Sequence, residues 1–171
     1  YGEIEHENTI SVFPSILYTV HNNKKINFID TPGADDFIGG VYTALRAVDT
    51  ALLLINAQNG VEVGTEIQNR LLDKMGKPTM LAINQLDHDK ANFEKSLEMV
   101  KQSFGSNAVL AQYPVDPGSN FSAIIDLISM KMYKYKDDKG QVEINDIPDN
   151  EKEKSEQLQN ELIEKAAESD E

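Results

Sequence analysis

The feature that most constrains the fold is an alternation of apolar strand-like runs with amphipathic helical segments over the first two thirds of the chain. Residues 50–56 and 79–84 are continuous apolar runs of strand length, which is typical of buried parallel strands. Between them, four apolar residues recur at helical spacing, namely Ile67, Leu71, Leu72 and Met75. Strands that alternate with helices predict βαβ units and a mostly parallel α/β sheet with flanking helices.

Three polar residues end the predicted strands of this first part. Residues 25–30 form a further strand, and helices are expected around residues 37–48 and 92–104. In parallel α/β sheets, ligands bind beyond the carboxyl ends of the strands. The residues at those ends are Asp30, Asn56 and Asn84. The sequence therefore predicts a ligand site at that edge.

The pattern changes near Ala108, where shorter strands without intervening helices begin. We expect strands at residues 108–113, 121–126, 130–135 and 141–145, with a turn at 137–140 before the last of them. A polar helix follows from Asp149 to about Ser169, with an apolar side. We therefore predict an α/β core over residues 1–107 and a small α+β lobe over residues 108–171.

Composition excludes several classes of function. The chain of 171 residues has no cysteine, which excludes disulfides, thiolate catalysis and cysteine–zinc sites and fits a reducing compartment. The three histidines lie far apart, and no apolar run is long enough to cross a membrane. A net charge of −13 excludes coating of a phosphate backbone by charge attraction. The first residue is not Met and no signal peptide follows, so we expect a piece of a longer polypeptide.

Two short polar motifs follow predicted strands. Asp30-Thr31-Pro32-Gly33 ends the first strand, and Asn84-Gln85-Leu86-Asp87, which is close to the guanine-reading pattern Asn-Lys-x-Asp, ends the third. Each motif alone is also good turn or capping chemistry, and that alternative stays open for either one. Both motifs stand at strand ends, in this order and with a helix between them, which favours a guanine-nucleotide site.

The surrounding residues resemble the GTP-binding domain of elongation factor G. The runs 26–33 and 45–62 are similar to its second switch and the segment that follows, and 8–12 resembles its first switch. Residues 113–115, 121–127, 130–133 and 143–148 resemble the subdomain that this factor inserts in its GTPase domain. The resemblance covers essentially the whole chain, and it implies a P-loop-NTPase-type sheet together with that inserted lobe.

The resemblance also implies which residues bind GTP or GDP and Mg²⁺. The nucleotide-binding residues would be Asp30, Thr31, Pro32, Gly33, Ala34, Asn84, Gln85, Leu86 and Asp87. The magnesium ligands would be Ser11, which replaces a threonine, and Asp30, acting through water; Thr9 is an alternative to Ser11. A hydroxyl-rich strand edge is the structural alternative for both hydroxyls. The Asp87 carboxylate would accept hydrogen bonds from the guanine N–H groups.

Three departures from the family pattern bear on activity. No Gly-x-x-x-x-Gly-Lys-[Ser/Thr] phosphate-binding loop occurs in the sequence, so the chain alone is not expected to bind GTP well or to be active. Ala34 stands at the position of the histidine that positions the attacking water, and loss of such a group costs about 10²–10⁴-fold in rate. Gln85 replaces the lysine that covers the base, which removes a cation–π attraction.

The expected function is therefore part of a cytoplasmic translation elongation factor. It would bind GTP and promote translocation on the ribosome, with weakened hydrolysis, and it would contact the ribosomal stalk protein through the lobe and ribosomal RNA through other domains. One alternative is a ribosome-binding module that uses nucleotide only as an allosteric ligand or not at all. Another is a ribosomal protection or release-recycling factor. No membrane partner is expected, and the chain is expected to self-associate through an exposed sheet edge.

Overall fold

A computed structural model describes residues 2–105, 108–136 and 140–168. In chain order its elements are α1 (Glu3–Asn8), β1 (Ser15–His21), β2 (Lys24–Asp30), a 3₁₀ turn (Asp35–Phe37), α2 (Ile38–Leu45), β3 (Ala51–Asn56), α3 (Val63–Met75), β4 (Thr79–Asn84), α4 (Phe93–Phe104), β5 (Gln112–Val115), β6 (Ala123–Asp126), β7 (Lys131–Tyr135), β8 (Val142–Asn145) and α5 (Asp149–Glu168).

The predicted α/β fold with a parallel sheet and flanking helices is confirmed. Strands β3 and β4 pair with each other, and the bonds at their ends show the direction. The Ala51 N–H donates to the Pro78 carbonyl and the Ala57 N–H to the Asn84 carbonyl, each over 2.9 Å. Since the residue numbers of both partners rise together, the strands run parallel. The two apolar runs of the sequence form these strands.

A β-hairpin precedes the parallel pair, and two elements, α1 and β1, add to those expected from the sequence. Strands β1 and β2 pair antiparallel, from Ser15 opposite Asp30 to His21 opposite Lys24. Asn22 and Asn23 form the connection with φ of 48° and 60°, and asparagine tolerates this left-handed conformation better than most residues with a side chain. The hairpin places Asp30 at the open end, next to the start of β1.

The last part of the chain forms an antiparallel sheet in the order β5-β6-β7-β8, with α5 after it. Its core consists of buried apolar residues from several elements: Phe93, Tyr113, Ile125, Leu127 and Ile147. The strand expected at residues 108–113 was placed too early, because β5 begins only at Gln112. Its start is set by pairing with the short strand β6, from Gln112 opposite Asp126 to Val115 opposite Ala123. Residues 137–139 of the expected turn, and Ser169, lie outside the described residues.

The chain divides into two compact units. The first comprises Tyr1–Leu53 with Glu62–Ala82, and the second comprises Leu54–Val61 with Ile83–Glu171. The expected division into 1–107 and 108–171 follows the change of sequence pattern near Ala108, and it stays a prediction. In the described ranges, no helix combines the length and the apolar character needed to cross a bilayer.

Candidate functional site

The first motif forms a loop at the end of β2, in the first unit; we call residues 30–34 the Asp30 loop. Asp30 is the last residue of β2 and pairs with Ser15. The Pro32 side chain is almost completely buried. A Cβ added to Gly40 of α2 would lie 3.0 Å from Pro14 and 3.7 Å from Pro32. Because Gly40 has no side chain, α2 packs closely against both prolines. This packing fixes the middle of the Asp30 loop, at Pro32.

Gly33 follows this buried proline and lies in open space. It is exposed, its φ lies outside the left-handed region, and a Cβ built on it would meet no other atom of the chain within 4 Å. Neither backbone conformation nor packing within the chain therefore requires glycine here. A group from outside the chain can approach the backbone of Gly33 without meeting a side chain.

Ala34 is exposed and ends the Asp30 loop. Its carbonyl accepts the Phe37 N–H over 3.0 Å, which starts the 3₁₀ turn. The methyl group carries no titratable or hydrogen-bonding atom. The adjacent carboxylate of Asp35 is exposed. Segment 30–40 contains no histidine, so Asp35 and Asp36 are the titratable groups of this segment that are nearest to Ala34 in sequence.

The segment that carries Ser11 is held by a residue that sequence reasoning missed. Glu5 is 5% exposed, and its Oε1 accepts the Val12 N–H over 2.7 Å and the Phe13 N–H over 3.0 Å. Hydrogen bonds from Phe13, Val12 and Gly2 lower the pKa of Glu5 from 4.5 to about 2. The carboxylate of Glu5, which belongs to helix α1, thus holds the backbone of Val12 and Phe13. Ser11 comes directly before these two residues and is half-buried. A buried acid three residues after Gly2 has the spacing of a capping box, which was the available signal.

Two oxygen donors of this unit are of the kind that a magnesium ion prefers. Ser11 lies four residues before Ser15, the residue that pairs with Asp30. Mg²⁺ is commonly bound by one or two protein oxygens, with water and phosphate filling the other positions. A hydroxyl and a carboxylate suit that chemistry. Clusters of three or more His or acidic side chains suited to a metal do not occur in the described part of the chain. Thr9, the alternative donor, is exposed and has a left-handed φ of 53°.

The second motif forms a loop at the end of β4, in the second unit; we call residues 84–87 the Asn84 loop. Hydrogen bonds hold three consecutive carbonyls. The Asn84 carbonyl accepts the Ala57 N–H over 2.9 Å, and the Leu86 carbonyl accepts the Gly118 N–H over 2.7 Å. The Gln85 carbonyl accepts the His88 N–H over 3.2 Å. The loop backbone is therefore fixed, and Asp87 is presented at the surface.

The side chains of the Asn84 loop divide into anchoring and exposed groups. Leu86 packs against the apolar core of the second unit, so only its backbone is open to a ligand. Asn84, Gln85 and Asp87 are exposed. The Asp87 carboxylate can accept two hydrogen bonds from neighbouring N–H groups of one ligand, which matches the donor pair of guanine.

Gln85 adopts a left-handed conformation with φ of 59° and contacts Asn56, the residue at the end of β3 that carried no motif. The Asn56 Nδ2 group donates to Gln85 Oε1 over 2.6 Å. The Asn56 Oδ1 atom accepts the N–H groups of Gln58 over 2.8 Å and Asn59 over 3.3 Å. Asn56 therefore joins the loop after β3 to the Asn84 loop, a role that was not expected from the sequence.

The loop after β3 is packed closely against α4. Gly60 has a φ of 73°, and a Cβ on it would overlap the Met99 sulfur. The Ala57 carbonyl accepts the Asn92 N–H over 2.9 Å and the buried Ser96 hydroxyl over 3.1 Å. The chain segments around Asn56 and Gln85 thus rest on a fixed base.

An α/β fold with these two motifs at strand ends is typical of a guanine-nucleotide-binding domain of the GTPase type. A family model of the elongation factor Tu GTP-binding domain matches residues 2–170. The chain belongs to this family, whose members are GTP-binding translational GTPases. A crystal structure of a protein from Thermus thermophilus is also similar, with a TM-score of 0.91 and 26% identity. The match covers 100% of this chain and 25% of the Thermus chain, so this chain spans about a quarter of that protein.

Proposed function

We propose that the chain is part of an elongation-factor-G-type protein that binds GTP with Mg²⁺ and promotes translocation on the ribosome, with slow hydrolysis. The observation that carries the nucleotide part is the placement of the two family motifs. Each follows a strand of an α/β domain, and each is held by buried or hydrogen-bonded neighbours while its functional groups are exposed. The four-stranded lobe with α5, which resembles the inserted subdomain of elongation factor G, supports the finer assignment.

In this proposal each residue of the two motifs, and Ser11 before them, has one task. Ser11 and Asp30 would hold Mg²⁺, which would neutralise charge on the phosphates, and the Gly33 N–H would donate to the terminal phosphate. The open space around Gly33 supports the proposed contact between its N–H and the terminal phosphate. Asp87 reads the guanine base, and Asn84 ties the neighbouring loops.

Slow hydrolysis follows from Ala34. Its methyl group cannot orient or deprotonate water, and the loss of such a group costs about 10²–10⁴-fold in rate, or about 3–5 kcal/mol of barrier. A second function, in which nucleotide acts only by binding, is favoured by the same residue. GTP would then set the switch conformation through binding energy alone. A protection or release-recycling role depends on parts of a protein outside this sequence.

The proposed partners are the ribosome, its stalk protein through the lobe, and ribosomal RNA through other domains, in the cytoplasm. The chain has a net charge of −13, so contact with RNA would require local features rather than its overall charge.

Single-turnover GTP hydrolysis with ribosomes tests the proposal. The complete gene product that carries this sequence is compared with its Ala34→His variant, because these 171 residues contain no phosphate-binding loop. Ala47→His, at an exposed position after α2, is the matched control for the added imidazole. We expect slow turnover that rises about 10²-fold or more with Ala34→His and does not rise with Ala47→His.

Either other outcome changes the assignment. Fast turnover by the unmodified protein would show that another residue handles the water, and an ordinary elongation-factor GTPase would then be the better description. Absence of GTP and GDP binding would contradict the nucleotide function itself.

A further inference from the structure

We propose that Asn56 is a positioning residue for the base side of the nucleotide site and determines which side chain position 85 accepts. The hydrogen bond from Asn56 Nδ2 to Gln85 Oε1, which we call the amide latch, joins residues that are 29 positions apart. The effect of the amide latch on nucleotide binding rests on the proposed function, whereas the hydrogen bond itself is a property of the chain.

The orientation of the Asn56 amide is fixed by its other contacts. Its Oδ1 atom accepts the backbone N–H groups of Gln58 and Asn59. An oxygen must face these two donors, so the NH₂ group must face Gln85. Rotating the amide by 180° would place a donor against two donors. Position 85 therefore requires a hydrogen-bond acceptor.

Glutamine meets this requirement and lysine does not. Gln85 supplies Oε1 at 2.6 Å, whereas a lysine ammonium has three donors and no acceptor. A lysine at 85 would face the Asn56 NH₂ group and break the amide latch. An aspartate at position 56 would remove the conflict, because one carboxylate oxygen keeps the Gln58 and Asn59 N–H groups and the other accepts from lysine.

The backbone on both sides of Gln85 connects the amide latch to Asp87, the residue proposed to bind the base. The Asn84 carbonyl accepts from Ala57, next to Asn56, and the Leu86 carbonyl accepts from Gly118. Gln85 lies between these bonded carbonyls in a left-handed conformation, two residues before Asp87. Loss of the amide latch frees the side chain of Gln85 and loosens the turn of residues 56–60 that supports the Asn84 loop.

Two single variants are therefore expected to behave unequally. Asn56→Asp is tolerated, because the Gln85 amide can turn and donate its NH₂ group to the new carboxylate. Gln85→Lys is not tolerated, although a cation over the base would by itself strengthen binding. The double variant Asn56→Asp/Gln85→Lys restores the contact as an ion pair.

The test uses the complete gene product with these three variants and two measurements. Hydrogen exchange of the Gln58 and Asn59 amides reports the latch without nucleotide, and GDP affinity reports its consequence. We expect Gln85→Lys to speed the exchange and to weaken GDP binding, each by about three- to tenfold, as for the loss of one hydrogen bond. The double variant is expected to recover both values. Gln102→Lys, an exposed substitution on α4 with the same charge change, is the control and should change neither.

The outcomes separate this proposal from the proposed function. Faster exchange in Gln85→Lys with recovery in the double variant supports the amide latch even if GDP does not bind at all, in which case only the proposed function fails. Unchanged exchange in Gln85→Lys overturns the latch, whatever the affinity. Tighter GDP binding in Gln85→Lys than in the double variant overturns its role in positioning the base site.

Discussion

Glu5 shows how one buried carboxylate fixes a segment that the sequence leaves undetermined. The segment 9–14 has no helix or strand, yet its Val12 and Phe13 amides are held by this one side chain. These two backbone donors, together with the Gly2 N–H, lower the pKa of the Glu5 carboxyl to about 2. The segment next to Ser11 is therefore held in place only while the Glu5 carboxylate is charged.

This linkage predicts a pH dependence. Because the folded-state pKa of Glu5 is depressed, its contribution is present above the ordinary value of 4.5 and is lost as the pH falls from there through about 2. We expect the NMR signals of the Val12 and Phe13 amides to titrate with a midpoint well below 4.5. Glu5→Gln should remove this titration, and Glu7→Gln, an exposed neighbour, should leave it intact. A midpoint near 4.5 in the unmodified chain would contradict the prediction.

At the scale of elements, helix α5 is joined to the sheet of the second unit by a buried tyrosine. Tyr113 of β5 is 2% exposed, and its hydroxyl lies 2.8 Å from Ser155 Oγ and donates to Glu151 over 3.1 Å. The Lys154 ammonium lies 4.7 Å from the centre of the ring. Three residues of one helix thus contact one side chain, which sets the rotation of α5.

Tyr113→Phe is expected to destabilise the second unit by about 1–2 kcal/mol, because the hydroxyl contacts are lost and the polar partners remain. Chemical denaturation followed by far-UV circular dichroism measures the loss. Tyr135→Phe, at the more exposed end of β7, is the matched control and should have little effect. Equal stability of the two variants would show that the Tyr113 hydroxyl does not hold α5.

The buried hydroxyl of Tyr113 also leads us to expect a loss of stability at high pH. Burial is the main cause that raises the pKa of Tyr113 from 10.0 to about 12, with Glu151 adding to it and Ser155 opposing it. The fold disfavours the charged form of Tyr113. The contribution of its neutral hydroxyl to folding stability is therefore complete below pH 10 and is lost as the pH rises through about 12. Absorbance in the near ultraviolet, where tyrosinate absorbs, should show a late titration step that belongs to Tyr113. Tyr113→Phe should remove that late step, and its persistence in the variant would contradict the assignment.

At the scale of the molecule, the sheets present apolar residues and unpaired edges. In the part of the chain that the structure describes, β2 pairs only with β1, and β3 only with β4. Apolar residues of β1 are exposed, including Ile16 at 77% and Tyr18 at 68%. Leu52, Leu54 and Met80 of the parallel pair are also more than half exposed. Such surfaces and edges promote association.

We predict that the chain of 171 residues self-associates in a concentration-dependent manner. Sedimentation or light scattering over a dilution series should show it, and Ile16→Lys should weaken it by placing a charge on the apolar face. Gln157→Lys, an exposed position on α5, is the control for added charge. A monodisperse monomer at high concentration would contradict the prediction.

The sequence by itself determined the alternation of strands and helices and the places of both loops. These features depend on apolar periodicity and turn chemistry, which act between residues close in the chain. β3, β4 and α4 accordingly lie within about two residues of their predicted bounds. The absence of a histidine at position 34 is also visible in the sequence alone.

Only the tertiary structure decided what Asn56, Glu5 and Tyr113 do. Their partners lie 29, 8 and 42 residues away, at Gln85, Phe13 and Ser155, and no local pattern encodes such pairings. The start of β5 was likewise set by its partner strand rather than by its own residues. A hydrogen bond between distant residues forms only after the fold has brought both groups together.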